Sequence, residues 1–257
     1  MTWTRRELKE TAKKCLSANY WKLVLVSLIV MLVFGGSSGG RSSGSSAATG
    51  AGATEAAGSA IEINPSINGF SADKIESIVG TAIAGVILVL ILLVIIAVMI
   101  LVYIYVVNPL QVGCSRFFIR SLHDKAEVRE IAYGYDHGYR NVVKTLFKQD
   151  LRIFLWSLLL IIPGIIKSYE YRMIPYLLAE NPELATDDAF AQSKAMMTGN
   201  KWKTFVLDLS FLGWDILSLL TAGILGVFYV NPYRNMTFAA LYEKLRYGDG
   251  TAVIAEQ

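Results

Sequence analysis

The segment from Ser77 to Ser115 contains no aspartate, glutamate, lysine or arginine, and Ile78 to Val107 is almost continuously apolar. As an α-helix, these 30 residues rise about 45 Å, more than the roughly 30 Å hydrocarbon core of a bilayer. The alternative is a buried core helix of a soluble protein, but such helices are seldom this long or this apolar. We therefore predict a membrane-spanning helix that is tilted or protrudes from the bilayer.

The composition agrees with a bilayer as the solvent, because 54% of the residues are hydrophobic and only 18% are charged. The net charge of +3 is too small to indicate a nucleic-acid partner. A second apolar run, Tyr20 to Phe34, predicts a first span. A cleaved secretory signal is the alternative there, but its basic leader would be unusually long. The Gly- and Ser-rich residues between the two spans offer almost nothing to bury and predict a flexible linker.

The distribution of lysine and arginine predicts the topology, because cytoplasmic loops carry the excess of positive residues. Residues 1–22 hold six of them and residues 108–152 hold eight, whereas residues 35–77 hold two. We therefore expect the N-terminus and the central loop in the cytoplasm and the Gly/Ser linker outside. A C-terminus in the cytoplasm follows if the chain between 151 and 179 enters the membrane and returns to the same side.

An internal repeat is indicated by two short motifs that recur in the same order. The motif Asn-x-Trp-Lys occupies residues 19–22 and again 200–203, and Val-Asn-Pro occupies residues 107–109 and again 230–232. An amphipathic helix is predicted before each Asn-x-Trp-Lys motif, where it would lie on the cytoplasmic leaflet. The first of these has a capping box formed by Thr4 and Glu7. These few identities favour a duplication without proving it.

The stretch from 151 to 180 predicts a hairpin broken at Pro163-Gly164. Its helical rise of about 44 Å is short of the roughly 60 Å needed for two crossings, so we expect a re-entrant excursion. Proline in the later spans should kink the helix and free backbone carbonyls that other groups must satisfy. Asn108-Pro109 and Asn231-Pro232 either line a path, as broken helices do in transporters, or are structural kinks.

The predicted fold is therefore all-α. It is a polytopic integral membrane protein with about six membrane-inserted helices, some of them short or re-entrant, and with cytoplasmic interfacial amphipathic helices. The segments are an amphipathic helix and first span (1–34), an external linker (35–77), a long second span with an Asn-Pro exit (78–122), a cytoplasmic amphipathic loop (123–150), the broken hairpin (151–180), a second repeat unit (181–246) and a tail (247–257).

Several motifs of the second half resemble a bacterial family of integral membrane proteins that is catalogued as domain of unknown function 975. These motifs are Pro163-Gly164-Ile165, YLLAENP from Tyr176, MTGNKWKTFVLDLSFLGW from Met197, LTAGI from Leu220 and Asn231-Pro232-Tyr233. The resemblance implies a multi-pass protein of the bacterial plasma membrane. It supplies no catalytic motif, and the Gly/Ser linker is outside its pattern.

Ionisable side chains at membrane depth are the candidate functional residues, because a charge in hydrocarbon is costly unless it is paired or wet. Asp208 and Asp215 are seven residues apart and share one helix face. A salt-bridged network is one hypothesis, and its candidate members are Asp208, Asp215, Lys167, Glu170 and Arg172. The alternative is that both aspartates lie near the membrane boundaries and that the basic side chains snorkel to the interface.

No catalytic residue, metal site or cofactor is predicted. His123 and His137 are the only histidines, and fourteen residues of separation favours surface histidines over a metal site. The favoured function is a non-catalytic membrane component that binds lipid or a membrane partner, including a second copy of the chain. The alternatives are a small transporter or channel-like protein and, third, a membrane enzyme that acts on lipid headgroups.

Overall fold

The computed structural model describes residues 3–34, 72–123, 126–221 and 223–248, and every regular element within these ranges is helical. The prediction of an all-α fold is therefore confirmed. The Gly/Ser-rich stretch up to residue 71 and the tail from 249 lie outside the described residues. The α-helices are α1 (Arg5–Ala18), α2 (Tyr20–Phe34), α3 (Ala72–Val102), α4 (Asn108–His123), α5 (Tyr133–Asp136), α6 (Tyr139–Leu159), α7 (Ile161–Glu170), α8 (Ile174–Glu180), α9 (Thr186–Met197), α10 (Lys201–Leu220) and α11 (Asn231–Tyr247).

The chain divides into two compact units, of which Ser43–Leu101 is one. Its described part is α3, which begins at Ala72, inside the segment predicted as linker. The polar residues that precede the apolar run extend the helix because they include good helix formers such as lysine and glutamate. Every described side chain from Val79 to Leu101 is exposed.

One helical stretch among the described residues, Val79–His123, is long and apolar enough to cross a membrane. Its most apolar window has a mean hydropathy of 3.7, and none of that window is buried. The helices α1 and α2 pass the same test when they are taken together, although the chain bends by 108° between them. Length and composition therefore give one such helix, or two if the bent pair is one span.

The other unit, Met1–Ser42 with Val102–Gln257, contains the hydrophobic core. Its central elements are the two Asn-Pro helices α4 and α11, which pack against each other and against α1 and α2. Every side chain of α11 from Asn231 to Tyr242 is buried. Helix α8 covers another side of α4 and is itself almost fully buried.

Glycine permits a close approach on α4. A Cβ atom built on Gly113 would lie 1.8 Å from the carbonyl oxygen of Ile131. A Cβ atom on Gly134 would lie 2.3 Å from the carbonyl oxygen of Pro109. Only a residue without a side chain fits where two backbones meet this closely.

The hairpin reverses at Leu160, between α6 and α7, and not at Pro163-Gly164 as the sequence suggested. Leu160 has an extended backbone with φ −157° and ψ 139°. Pro163 falls in the first turn of α7, where its missing N–H leaves no helical hydrogen bond unmade. Gly164 instead serves the packing of the two arms, since a Cβ atom there would lie 2.7 Å from the Cα of Ser157.

The buried positions of α2 and α10 support the internal repeat. The buried residues of α10 are Thr204, Leu207 and Phe211. The α2 residues that precede them by the repeat spacing, and that are buried as well, are Leu23, Val26 and Val30. The same three positions of each helix therefore face the core, as an internal repeat would require.

Candidate functional site

An ion pair joins the end of α7 to α10. The Nη1 and Nη2 atoms of Arg172 donate to the two carboxylate oxygens of Asp208, and the Nη2–Oδ1 distance is 3.1 Å. The hydroxyl of Tyr169 donates to the same carboxylate at 2.8 Å. The Arg172 side chain is 8% exposed, and its guanidinium lies 3.8 Å from the ring centre of Phe238. Arg172 and Asp208 thus form a bidentate ion pair beside an aromatic ring, and this geometry favours the stabilisation of two opposite buried charges.

Glu170 is held by two lysines. Its carboxylate accepts from Lys167 at 2.8 Å and from Lys201 at 2.5 Å, while its side chain is 5% exposed. Its backbone carbonyl also accepts a hydrogen bond from Ser193 at 2.8 Å. Lys201 was absent from the residues that the sequence singled out.

Asp215 pairs with Arg234 of α11, and not with Lys167 or Arg172. Sequence reasoning did not single out Arg234. In the structure this residue is buried in the first turn after Asn231-Pro232. The available signal was the position of an arginine within a predicted span, which requires a partner of opposite sign.

The five residues of the predicted network therefore lie in three groups and not in one. Arg172 meets Asp208, Lys167 meets Glu170, and Asp215 meets a residue that sequence reasoning missed. Each carboxylate in these groups has at least one cationic partner.

Both Asn-Pro elements begin immediately after a π-helical turn. The turns are Tyr103–Val107 and Gly226–Val230, and in each the N–H of the asparagine bonds to the carbonyl five residues earlier. Proline has no N–H to offer the carbonyl four residues before it. Single π turns of this kind accommodate such a defect and are frequent at functional sites.

Tyrosine hydroxyls satisfy the carbonyls that the prolines leave free. Tyr139 donates to the carbonyl of Tyr105, four residues before Pro109, at 2.9 Å. The carbonyl four residues before Pro232 also receives a tyrosine hydroxyl, from the beginning of α2. Polar side chains of neighbouring helices thus replace the missing backbone donors.

Asn108 is the most unusual polar residue of the core. Its side chain is fully buried, and neither its Nδ2 nor its Oδ1 has a hydrogen-bond partner within the described part of the chain. Burial of an amide without hydrogen bonds destabilises the folded state. The side-chain amide of Asn108 is therefore available to donate and to accept hydrogen bonds beside the first kink.

The histidines lie apart from these groups. His123 contacts the carboxylate of Glu243 at 2.5 Å, and the ring of His137 stacks on Tyr133 with centres 4.5 Å apart. Within the described ranges, no group of three or more His, Cys, Asp or Glu side chains could hold a metal ion.

A comparison with protein-family models gives one decisive match. The model described as Protein of unknown function (DUF975) matches residues 56–248. The chain belongs to this DUF975 family. The match contains α3 to α11 and both Val-Asn-Pro elements, and it begins after the first Asn-x-Trp-Lys motif. No curated protein and no solved structure matches the chain. The predicted family membership is thus confirmed, and the family itself carries no assigned activity.

Proposed function

We propose that this DUF975 protein is a multi-pass membrane protein that binds lipid and performs no chemistry of its own. The observation that carries the proposal is the combination of exposed apolar tips with paired charges between the helices. Five consecutive residues at the turn of the hairpin, 158–162, are 63–76% exposed, and all are leucine or isoleucine. Leu219 and Leu220 at the end of α10 are 81% and 78% exposed. Such patches are rare on soluble proteins and are stable in hydrocarbon.

The arms of the hairpin have the length of a re-entrant segment. From Leu151 to Leu160 the chain climbs about 14 Å as helix, roughly half of the hydrocarbon thickness. The ion pairs of α10 support the same placement, because charges at this depth must be neutralised by partners. A non-catalytic role fits these pairs, since each carboxylate is already engaged and offers no free general acid or base.

Site-directed labelling tests the membrane placement. The background is a chain with Cys15→Ser and Cys114→Ser, into which one cysteine is introduced at Ser45 or at Asp188. Asp188 is exposed, whereas its neighbour Thr186 is buried against Thr145 at 2.9 Å and would label poorly. We expect Ser45→Cys to react with an impermeant maleimide in intact cells, and Asp188→Cys to react only after permeabilisation. Labelling of Asp188→Cys in intact cells would overturn the hairpin topology. The membrane placement is tested separately by washing the membranes with alkaline carbonate, and release of the protein by this wash would overturn it.

Native mass spectrometry tests the lipid-binding role. After gentle detergent extraction, the protein should retain phospholipid in defined stoichiometry. A bare monomer under all conditions would contradict the proposal, and retention of a second protein or a second copy without lipid would replace it with a partner-binding role.

A transport role is the second candidate, and the unsatisfied side chain of Asn108 favours it. A polar group of this kind beside a π turn is a feature of substrate paths in broken helices. Transport predicts that Asn108→Val abolishes solute flux in proteoliposomes while the protein stays folded. Equal flux in Asn108→Val and the wild type would remove this assignment.

A further inference from the structure

A cleft of about 660 Å³ opens between the start of α1 and the first turns of α10. Its walls are the start of the amphipathic helix α1 and the start of α10, the helix that begins at the second Asn-x-Trp-Lys motif. Four of its side chains are cationic, namely Arg5, Arg6, Lys9 and Lys203.

Among the residues that the structure describes, most of this positive charge has no carboxylate partner. Arg6 pairs with Glu10 at 2.7 Å on the exposed face of α1. Arg5, Lys9 and Lys203 make no ion pair with any carboxylate in the part of the chain that the structure describes. By contrast, the buried guanidinium of Arg172 is paired with the carboxylate of Asp208.

We propose that this cleft binds the phosphate group of an anionic phospholipid headgroup. The proposal rests on the membrane placement proposed above and names the lipid class and the site. Several unpaired cations at a bilayer surface attract an anionic headgroup, and basic pockets beside membrane helices are the usual place for one. Arginine can grip a phosphate through two parallel hydrogen bonds, while lysine acts as a mobile point charge.

Lys9 combines a favourable contact with an aromatic ring and an unfavourable excess of nearby positive charge. Its Nζ atom lies 4.6 Å from the ring centre of Phe211. Burial lowers the pKa of its ammonium, and the nearby positive charges of Arg5 and Lys13 lower it further. A phosphate anion in the cleft would offset both effects, so occupation and the charge of Lys9 favour each other.

Two tryptophans frame the cleft. Trp3 is 5% exposed, and its indole N–H donates to Oδ1 of Asn200 at 3.0 Å, which fixes the start of α1 beside α10. Trp202 is 72% exposed, and its amphipathic ring is typical of the headgroup level of a bilayer. One side of the cleft is thus held by a hydrogen bond between α1 and the residue before α10, and the other side is exposed.

The surroundings favour a lipid over a free phosphate ion. From Trp202 an exposed apolar stripe runs along α10 through Leu209 and Ile216, which are 53% and 56% exposed. A headgroup in the cleft would place its acyl chains along this stripe. A free phosphate ion would use only the cationic part of the site.

Lipid titration of the full-length protein tests the proposal. Phosphatidylglycerol and phosphatidylcholine are titrated in detergent and binding is followed by native mass spectrometry. We expect the wild type to prefer phosphatidylglycerol, and Arg5→Ala with Lys203→Ala to weaken its binding about 30-fold, since each cation near the surface contributes roughly fivefold. The matched control is Lys14→Ala with Lys144→Ala, which removes the same charge from exposed positions outside the cleft and should change binding less than threefold.

Further arms separate the possible failures. All four substituted side chains are exposed, so the variants should fold, and Arg5→Lys with Lys203→Arg should retain the lipid preference. Equal losses in the cleft pair and the control pair would overturn the site in favour of general surface charge. Full displacement of the lipid by millimolar glycerol 3-phosphate would overturn the lipid as the ligand in favour of a soluble phosphate. If cysteine labelling shows the expected topology but the titration shows no preference for phosphatidylglycerol, the proposed site is overturned and the membrane placement is retained.

Discussion

The hydroxyl of Tyr20 donates a hydrogen bond to the carbonyl oxygen of Phe228 at 3.1 Å. Phe228 lies four residues before Pro232, so this carbonyl is the one that an ordinary residue at position 232 would have bonded. The contact joins α2 to the kinked segment before α11 across 208 residues of sequence. A local defect of one helix is thereby satisfied by a side chain from the other half of the chain.

Replacing Tyr20 by Phe should lower the free energy of unfolding by about 1 kcal/mol, because the carbonyl of Phe228 loses its donor. Adding Pro232→Ala should recover most of that loss, since alanine supplies the missing N–H. Thermal unfolding in detergent of the four members of this double-mutant cycle measures the coupling. Additive effects of the two substitutions would show that the hydroxyl does not serve the proline defect.

Removing one member of the Arg172–Asp208 pair should be strongly destabilising. We expect Asp208→Ala to cost about 3 kcal/mol, because the guanidinium of Arg172 stays buried without its counter-charge. Arg172→Met in the same chain should restore much of the stability. Glu10→Ala breaks an exposed pair with Arg6, made through a single contact, and should leave stability almost unchanged. Comparable losses in Asp208→Ala and Glu10→Ala, measured by chemical unfolding, would contradict a buried role for the first pair.

Gly113→Ala should abolish or severely reduce folding, because its Cβ would overlap the carbonyl of Ile131 at 1.8 Å. Gly213→Ala is the matched control, since no other atom lies within 4 Å of its Cβ position on α10. That substitution should stabilise the protein by about 0.5–1 kcal/mol through helix propensity. Yield of monodisperse protein and its melting temperature distinguish the two outcomes, and similar behaviour of both variants would disprove the close approach.

The reactivity of Cys15 should depend on pH in a defined way. Partial burial raises the pKa of its thiol, and its Sγ contacts the carbonyl of Leu122 at 3.7 Å. A raised pKa leaves less thiolate at a given pH, so alkylation should be slower than for a free thiol and should keep rising with pH beyond the range where a free thiol levels off. The comparison uses Lys14→Cys in a chain with Cys15→Ser, because position 14 is exposed. Equal alkylation rates for the two thiols across the pH range would contradict this environment.

Much of the local organisation of the chain could be predicted from sequence. The first apolar run coincides with α2 from Tyr20 to Phe34. The Thr4 half of the predicted capping box forms, with its hydroxyl accepting from the N–H of Glu7 at 3.3 Å, while the Glu7 carboxylate accepts from Lys244. The need for substitute donors at the Asn-Pro kinks was also predictable. These features depend on neighbouring residues and on helical periodicity, which a single sequence displays directly.

The partners of the charged groups could not be predicted in the same way. Asp215 forms an ion pair with Arg234 because α10 and α11 are packed together. Glu170 forms an ion pair with Lys201 because the end of α7 approaches the start of α10. The turn at Leu160 was missed since proline is tolerated in the first turn of a helix and does not mark the break itself.

The sequence alone determined that this chain is helical, that its longest helix is apolar enough to cross a membrane, and that it belongs to the DUF975 family. Hydropathy and helical periodicity are properties of neighbouring residues, so no tertiary information is needed to see them. Only the tertiary structure decided which cations are neutralised and which, at the cleft of Arg5, Lys9 and Lys203, have no carboxylate partner among the described residues. Ion pairing depends on distances of a few ångströms between helices far apart in sequence, and packing alone sets those distances.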